Sequence, residues 1–280
     1  MTHTPPLVLV FAASDPSSGA GIQADILTLS SLGCHPLTAL TALTVQDTLG
    51  VESVHPVDPD VLERQARAVL EDMPVAAFKI GLLGSVENVV RVAEIVSDYP
   101  DLPLVFDPVL ASGRGDNLSD EETISAMREL LLPQTTVLTP NTPEARRLAE
   151  QEDDEGEPDL DQCARRLIDM GAQFVLVTGT HENTPQVLNS LFGDAGPMRR
   201  DRWDRLPGSY HGSGCTLASA IAACLANGAD IETAVRDAQE YTWHALAHAY
   251  RAGMGQFIPD RLFWARETKD AAANDDAADA

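Results

Sequence analysis

Short runs of consecutive apolar residues alternate along this chain with longer stretches in which apolar positions recur every three or four residues. LVLVFAA (7–13), PLVFD (103–107), TTVLT (135–139) and FVLVT (174–178) are too short for helices and lack the in-out alternation of a half-exposed strand. They are predicted as strands buried on both faces, as in a parallel sheet covered on each side. Between them, DPDVLERQARAVLEDM (58–73), SVENVVRVAEIVSD (85–98) and the segment 159–170 have helical spacing, with Ser85 as an N-cap and Gly171 at a helix end. Alternating β and α segments predict an α/β fold: a mostly parallel central sheet in a three-layer α/β/α sandwich.

A length of 280 residues fits one α/β domain, although about 150 residues per domain is the usual prior. The expected division is a single domain over 1–266 and an acidic tail over 267–280, ETKDAAANDDAADA from Glu267, with too few large apolar residues to order itself. QEDDEGEPD (151–159) is expected as an exposed acidic loop between two helices. Nineteen Lys and Arg against 43 Asp and Glu give a net charge of -24, which disfavours nucleic acid and anionic membranes as partners. Only two of the basic residues are lysines, Lys79 and Lys269. The four cysteines, Cys34, Cys163, Cys215 and Cys224, lack C-x-x-C spacing, which points to reduced thiols and a cytoplasmic protein. MTHTPP lacks the basic start of a signal peptide, and no apolar run approaches the roughly 20 residues that span a bilayer.

Several segments carry candidate chemistry. In HGSGC (211–215), Gly212, Ser213 and Gly214 precede the helix-favouring run TLASAIAACLA. A helix N-terminus behind small residues accepts anions, and a thiolate at Cys215 would be stabilised there, making that thiol more acidic than a free one. The alternative is a tight helix entry with Cys215 as a small buried hydrophobe. SDPSSGAGIQAD (14–25) follows a strand and opens a helix without the spacing of a Walker loop or a dinucleotide fingerprint; a tight turn explains it as well as a ligand does. Asp107 ends one strand, while Asn141 and Glu144 follow the next. Ligands of open α/β sheets bind beyond such strand ends, so the three are candidates to converge around hydrated Mg²⁺ or, individually, plain caps. Gln46 is placed to hydrogen-bond a flat heterocycle or to lie in a surface turn. Lys79 is either a snorkelling residue or a charge aimed into the site. His244 and His248, at i and i+4, have no third metal ligand in view and read as helix-face residues.

SDPSSGAGIQAD, TALTVQDTLGV, FKIGLLGS, VFDPVL, TVLTPNTPEA, FVLVTGTH and HGSGCTLASAIAA together, in collinear order over about residues 7–250, resemble the bacterial hydroxymethylpyrimidine/phosphomethylpyrimidine kinases of thiamine synthesis, members of the ribokinase-like superfamily. The resemblance implies a ribokinase-like sandwich, ATP and Mg²⁺ as cofactors, and phosphorylation of 4-amino-5-hydroxymethyl-2-methylpyrimidine and then of its monophosphate. It further implies Gly212, Ser213, Gly214 and Cys215 as the catalytic anion hole, with Cys215 facing the accepting oxygen. Gln46 would pair with the pyrimidine edge, Thr44 would sit beside it, and Ala20, Leu82 and Val109 would line the pocket, with Asp25 nearby in an unassigned role. Asn141, Thr178 and Gly179 would lie at the nucleotide, and Glu144 with Asp107 at the metal. Relatives are often homodimeric, so a homodimer acting on small molecules is expected.

Two departures stand out. Thr178 replaces a lysine that relatives carry near the ATP phosphates, with Arg114 as a candidate substitute. Ala13-Ser14-Asp15 and Leu82 replace Gly-Thr-Asp or Gly-Ser-Asp and a methionine. The competing expectations are a pyridoxal or pyridoxine kinase on the same fold, against which Gln46 speaks, and a ligand-binding relative without turnover.

Overall fold

A computed structural model describes residues 4–112, 115–151, 156 and 158–266. The expected disordered tail 267–280, the candidate Arg114 and most of the acidic segment 151–159 lie outside the described residues.

The apolar runs form strands where the pattern places them: β1 (Leu7–Ser14), β5 (Leu104–Phe106), β6 (Val137–Leu138) and β7 (Phe174–Thr178). They join β2 (His35–Gln46), β3 (Val51–Pro56), β4 (Val75–Ile80), β8 (Gln186–Gly193) and β9 (Gly196–Asp204) in one nine-stranded sheet of order β3-β2-β1-β4-β5-β6-β7-β8-β9. From β2 through β7 the neighbours pair parallel; β3, β8 and β9 add antiparallel edges.

Alternation along β1 shows why the layers form. Leu7, Leu9 and Phe11 join one buried cluster with Leu62 and Ala66 of α2 (Pro59–Asp72) and Val89 and Val92 of α3 (Val86–Ser97). Val8, Val10 and Ala12 join the other with Ile22 of α1 (Gly21–Ser31), Ile221 of α7 (Ser213–Ala226) and Val235 of α8 (Ile231–Ala247). A strand covered on both faces has no polar position to offer, and each large side chain so buried contributes about 1.5–3 kcal/mol. Ser85 caps α3, its hydroxyl accepting from the Asn88 amide. The remaining helices, α4 (Glu121–Ala126), α5 (Thr142–Ala149) and α6 (Leu160–Asp169), complete the first layer.

The topology opens a crevice at one edge of the sheet. After β1 the chain crosses to β2 on one side, and β4 returns on the other side of β1. This is a topological switch point, with a crevice at the carboxyl ends of the strands. Ser14, Ile80, Phe106, Leu138 and Thr178 end their strands along this edge. Among the described residues no helix is long and apolar enough to cross a membrane.

Candidate active site

A cavity of about 920 Å³ opens over these strand ends. Its floor is the meeting of two loops. The chain leaves β1 through residues 15–20 and enters α1 at Gly21, whose φ of +59° and position 2.4 Å (as a hypothetical Cβ) from the Ala13 carbonyl exclude a side chain. Asp15 organises this loop, its carboxylate accepting from the Ser17 and Ala20 amides at 2.8 and 2.7 Å. The second loop ends at Gly212, the N-cap of α7, at φ +84°, where a Cβ would lie 2.0 Å from the Gly19 carbonyl oxygen. His211 Nε2 lies 2.9 Å from Asp15 Oδ2 and joins the loops.

No side chain caps α7. The amides of Ser213, Gly214 and Cys215 therefore stand without intrahelical acceptors at the positive end of the helix dipole. All three residues, with Gly212, line the cavity. The Asp107 carboxylate faces Gly214, 3.6 Å from where a Cβ would be.

Glu144 and Asn141 form a capping box at the start of α5. The Glu144 amide donates to Asn141 Oδ1 and the Asn141 amide to Glu144 Oε2, both at 2.9 Å. Glu144 is at once a helix cap and a buried cavity-lining carboxylate beside Asp107. Burial pushes both carboxyls above the usual range; Lys79 opposes this at Asp107, and the proximity of Asp107 adds to it at Glu144.

Lys79 is completely buried, its ammonium 3.0 Å from Asp25, and it lines the cavity. Asp25 also accepts from the Ser219 hydroxyl at 2.7 Å. Burial pulls the Lys79 ammonium down, but Asp25, Cys215 and Asp107 together hold it above its ordinary value. Of the two alternatives left open by the sequence, snorkelling is excluded, because the ammonium is buried against Asp25 at the lining of the cavity. Asp25 does not line the cavity; it lies beneath it as the partner of Lys79.

Cys215 departs from expectation. In place of an acidic thiol at a helix N-terminus, burial pushes its pKa up to about 12, with Lys79 opposing the shift and Asp25 and Asp107 adding to it. The residue is partly exposed to the cavity yet deep within the protein. The dipole of one helix does not offset desolvation beside two carboxylates.

On the far wall, Gln46 donates from Nε2 to Thr44 Oγ1 at 2.7 Å, and Thr44 donates to the Ser14 carbonyl at 2.8 Å. This leaves Gln46 Oε1 as an acceptor at the cavity, with Ala20, Leu82 and Val109 also in the lining. Thr178 lines the opposite end and bridges to Asn141. Gly179 does not line the cavity; its amide donates to Asn189 Oδ1 at 3.1 Å, and a Cβ there would lie 2.3 Å from the Leu188 carbonyl. Arg205 lines the cavity and gathers the carbonyls of Thr180, Glu182 and Thr184 at 2.7–2.9 Å. His244 and His248 stack on Phe263, as helix-face residues do, and among the described residues no cluster of three or more metal-ligating side chains is found.

Sequence reasoning did not single out Asn189, Arg205, His211 or Asp15 as parts of the site. Asn189 lies in β8, and Arg205 directly follows β9, whose charged residues mask the strand pattern. The buried Asp15 would be flagged only by a carboxylate immediately after an apolar strand.

The model for the family described as phosphomethylpyrimidine kinase matches residues 15–260. The chain is 39% identical over 260 residues to the hydroxymethylpyrimidine/phosphomethylpyrimidine kinase of Streptomyces coelicolor, covering 90% of this chain and 93% of that one. It is 38% identical over 265 residues to the thiamine biosynthesis bifunctional protein ThiED of Geobacter sulfurreducens, covering 94% of this chain but spanning only about half (54%) of that longer protein. The pyridoxal kinase of Staphylococcus aureus, solved in complex with AMP-PCP and pyridoxal, superposes with a TM-score of 0.83 at 31% identity, over 94% of this chain and 96% of that one. The matched stretch takes in most of the chain, with the cavity-lining Gln46, Lys79, Glu144 and Cys215, and the chain therefore belongs to the phosphomethylpyrimidine kinase family.

Proposed function

We propose that this protein transfers the γ-phosphoryl group of ATP to the hydroxymethyl oxygen of 4-amino-5-hydroxymethyl-2-methylpyrimidine, and a second one to the resulting monophosphate, in thiamine biosynthesis. The observation that carries the reading is that the Gln46–Thr44 pair and the first-turn residues of α7 line one cavity. Gln46 Oε1 suits a ring amino donor, and Ala20, Leu82 and Val109 suit the faces of a flat ring. That ring's hydroxymethyl group would then point at Ser213, Gly214 and Cys215.

Phosphoryl transfer asks a protein mainly for alignment and for charge opposite the migrating group. The amides of Ser213–Cys215 supply pre-oriented donors, and Lys79 adds a fixed positive charge beneath them. In each transfer the acceptor oxygen forms a bond to the γ-phosphorus, the bond from that phosphorus to the bridging oxygen breaks and ADP leaves; in the first the alcohol gives up its hydroxyl proton, and in the second a phosphate oxygen of the monophosphate is the acceptor. A thiol with its pKa near 12 is no standing base at neutral pH. In this reading Cys215 orients the acceptor, and the proton departs late in a loose transition state.

Asp107 and Glu144 fit a hydrated Mg²⁺: two buried carboxylates, both raised by burial, that lack a full complement of positive charge. The ion would offset charge on the triphosphate.

The same fold and cavity support a second reading, pyridoxal phosphorylation, because a solved relative holds pyridoxal with AMP-PCP. The test is incubation with MgATP and, separately, the pyrimidine alcohol, its monophosphate and pyridoxal, read as product masses. Phosphorylation of both pyrimidines is the expected result. Turnover of the alcohol alone restricts the reading to the first step and points to Thr178. Turnover of pyridoxal alone overturns it, and no turnover favours a ligand-binding relative.

A further inference from the structure

Arg261 lies one residue beyond the stretch matched by the family model. It does not line the cavity, and it is 2% exposed. A buried guanidinium ordinarily has a carboxylate partner, because desolvating an unpaired charge is expensive. Arg261 has none within ion-pair distance among the described residues; its neighbour Asp260 pairs with Arg266 instead. Its donors go to the two loops of the cavity floor. Nη2 donates to the Gly19 carbonyl at 2.6 Å and the Gly212 carbonyl at 3.4 Å, and Nη1 to the Ser18 carbonyl at 3.5 Å. Nε donates to Thr216 Oγ1 at 3.0 Å, and that hydroxyl in turn donates to the Gly212 carbonyl at 2.8 Å.

The geometry has a direct consequence for the amides. In a trans peptide the C=O and N–H of one unit point in opposite directions. Drawing the Gly212 carbonyl toward Arg261 and Thr216 therefore turns the Ser213 amide the other way, out of the helix start. The charge matters as well, because a cation without a carboxylate partner keeps its field.

We propose that Arg261 is a positioning residue for phosphoryl transfer: its guanidinium locks the 18–20 loop to the first turn of α7, fixes the direction of the Ser213–Cys215 amides, and holds an unneutralised positive charge behind them. The proposal deepens the kinase reading and rests on it. A planar fork is required, since Gly19 and Thr216 are reached by different nitrogens of one rigid group, a geometry a lysine does not reproduce.

The test uses the full chain with Arg261→Met, Arg261→Lys and Arg261→Ala. Arg261→Met is expected to lower kcat with MgATP and the pyrimidine alcohol by about a hundredfold, the scale of losing an oriented donor, with little change in KM for the alcohol. Guanidinium, added to Arg261→Ala below denaturing concentration, restores part of the rate. Exchange of the Thr216 amide, which donates to the Gly212 carbonyl at 3.0 Å, quickens in Arg261→Lys while exchange in the middle of α8 is unchanged. Wild-type kcat and wild-type exchange in Arg261→Lys overturn the proposal. A loss of kcat that follows thermal stability and is not rescued by guanidinium also overturns it, as a purely structural role. Should Arg261→Met or Arg261→Ala not fold, the lysine variant decides by itself. A wild-type protein that phosphorylates neither pyrimidine refutes the kinase reading, while the exchange measurement still decides the role of Arg261.

Discussion

The two ends of the cavity are built on different principles. The floor, where residues 15–21 meet 211–215, is held by buried charged groups: Asp15, Asp25 and Lys79 are fully buried and Arg261 nearly so. Backbone contacts there are close enough to exclude a Cβ at Gly21 and Gly212. The opposite end is the β8–β9 edge, next to Thr178, which the resemblance puts at the nucleotide. There Leu188 is 40% exposed, and a surface arginine, Arg205, draws in a loop through its carbonyls. A group that meets developing charge gains from donors fixed in advance, whereas a wall that grips a large cosubstrate tolerates local opening. Substitutions at the floor are therefore expected to change stability and kcat, and substitutions at the edge to change KM for ATP alone.

The largest effect is expected at Lys79. Lys79→Met keeps the apolar stem but leaves Asp25 buried without its cation, and breaking a buried pair from one side costs about 3–5 kcal/mol. Urea unfolding measures it; a loss below about 1 kcal/mol, the scale of an exposed pair, would show that Asp25 is not carried by Lys79. Gly212→Ala follows. Its Cβ would fall 2.0 Å from the Gly19 carbonyl oxygen and 2.8 Å from Ala20 Cα, both backbone atoms, at a φ of +84°. The loops must separate, misdirecting the amides of α7, and kcat is expected to drop by about a hundredfold or more. Near-normal kcat would mean that the floor is pliant and that the contrast between the two ends is wrong.

What the sequence makes legible follows the same division. Of the six parallel strands, β1, β5, β6 and β7 are legible because burial on both faces leaves them apolar, and their ends then locate Asp107 and Glu144; β2, with polar and exposed positions, and β4, with Lys79, escape the same reading. β9 escapes such reading: GPMRRDRWD is dominated by charge, since an antiparallel edge strand needs only part of one face buried. Asp25 and Gly179 are placed near the site by resemblance, yet one lies beneath the cavity and the other behind its wall, positions fixed by packing against α7 and β8. The acidic thiol expected for Cys215 fails for a similar reason. A helix N-terminus is visible in sequence, but the desolvation that outweighs it depends on what folds over it.

The Asp15 loop allows the floor to be tested by pH. Burial raises the Asp15 carboxyl, but hydrogen bonds from His211, Ala20 and Ser17 outweigh it and hold the group below its ordinary value. A carboxyl depressed in the folded state stabilises the fold fully above its unfolded pKa, about 3.9, and that contribution is lost as pH falls through the lower folded value. Asp15→Asn should therefore be less stable than wild type by about 1–3 kcal/mol at neutral pH, as expected for disturbed buried hydrogen bonds. The gap should narrow in acid, below about pH 4. Thermal melts of both proteins over this range check it, and a gap independent of pH would assign the loss to shape and not to charge.

The smallest effect sharpens the comparison most, because it asks whether the two ends act separately. Arg205 donates to three carbonyls spaced along residues 180–184 and brings a cation to the end of the cavity where Thr178 supplies none. It sits in exposed surroundings, where each hydrogen bond is exchanged for one to water at little net cost. Arg205→Ala should then loosen the loop without touching the floor. The expected result is a rise in KM for ATP of about fivefold, equivalent to roughly 1 kcal/mol, with kcat and KM for the pyrimidine alcohol held at wild-type values. Initial rates over a matrix of both substrates separate these constants. A matching fall in kcat would mean that the hairpin edge and the anion hole are coupled, and the floor could no longer be treated as a preformed unit.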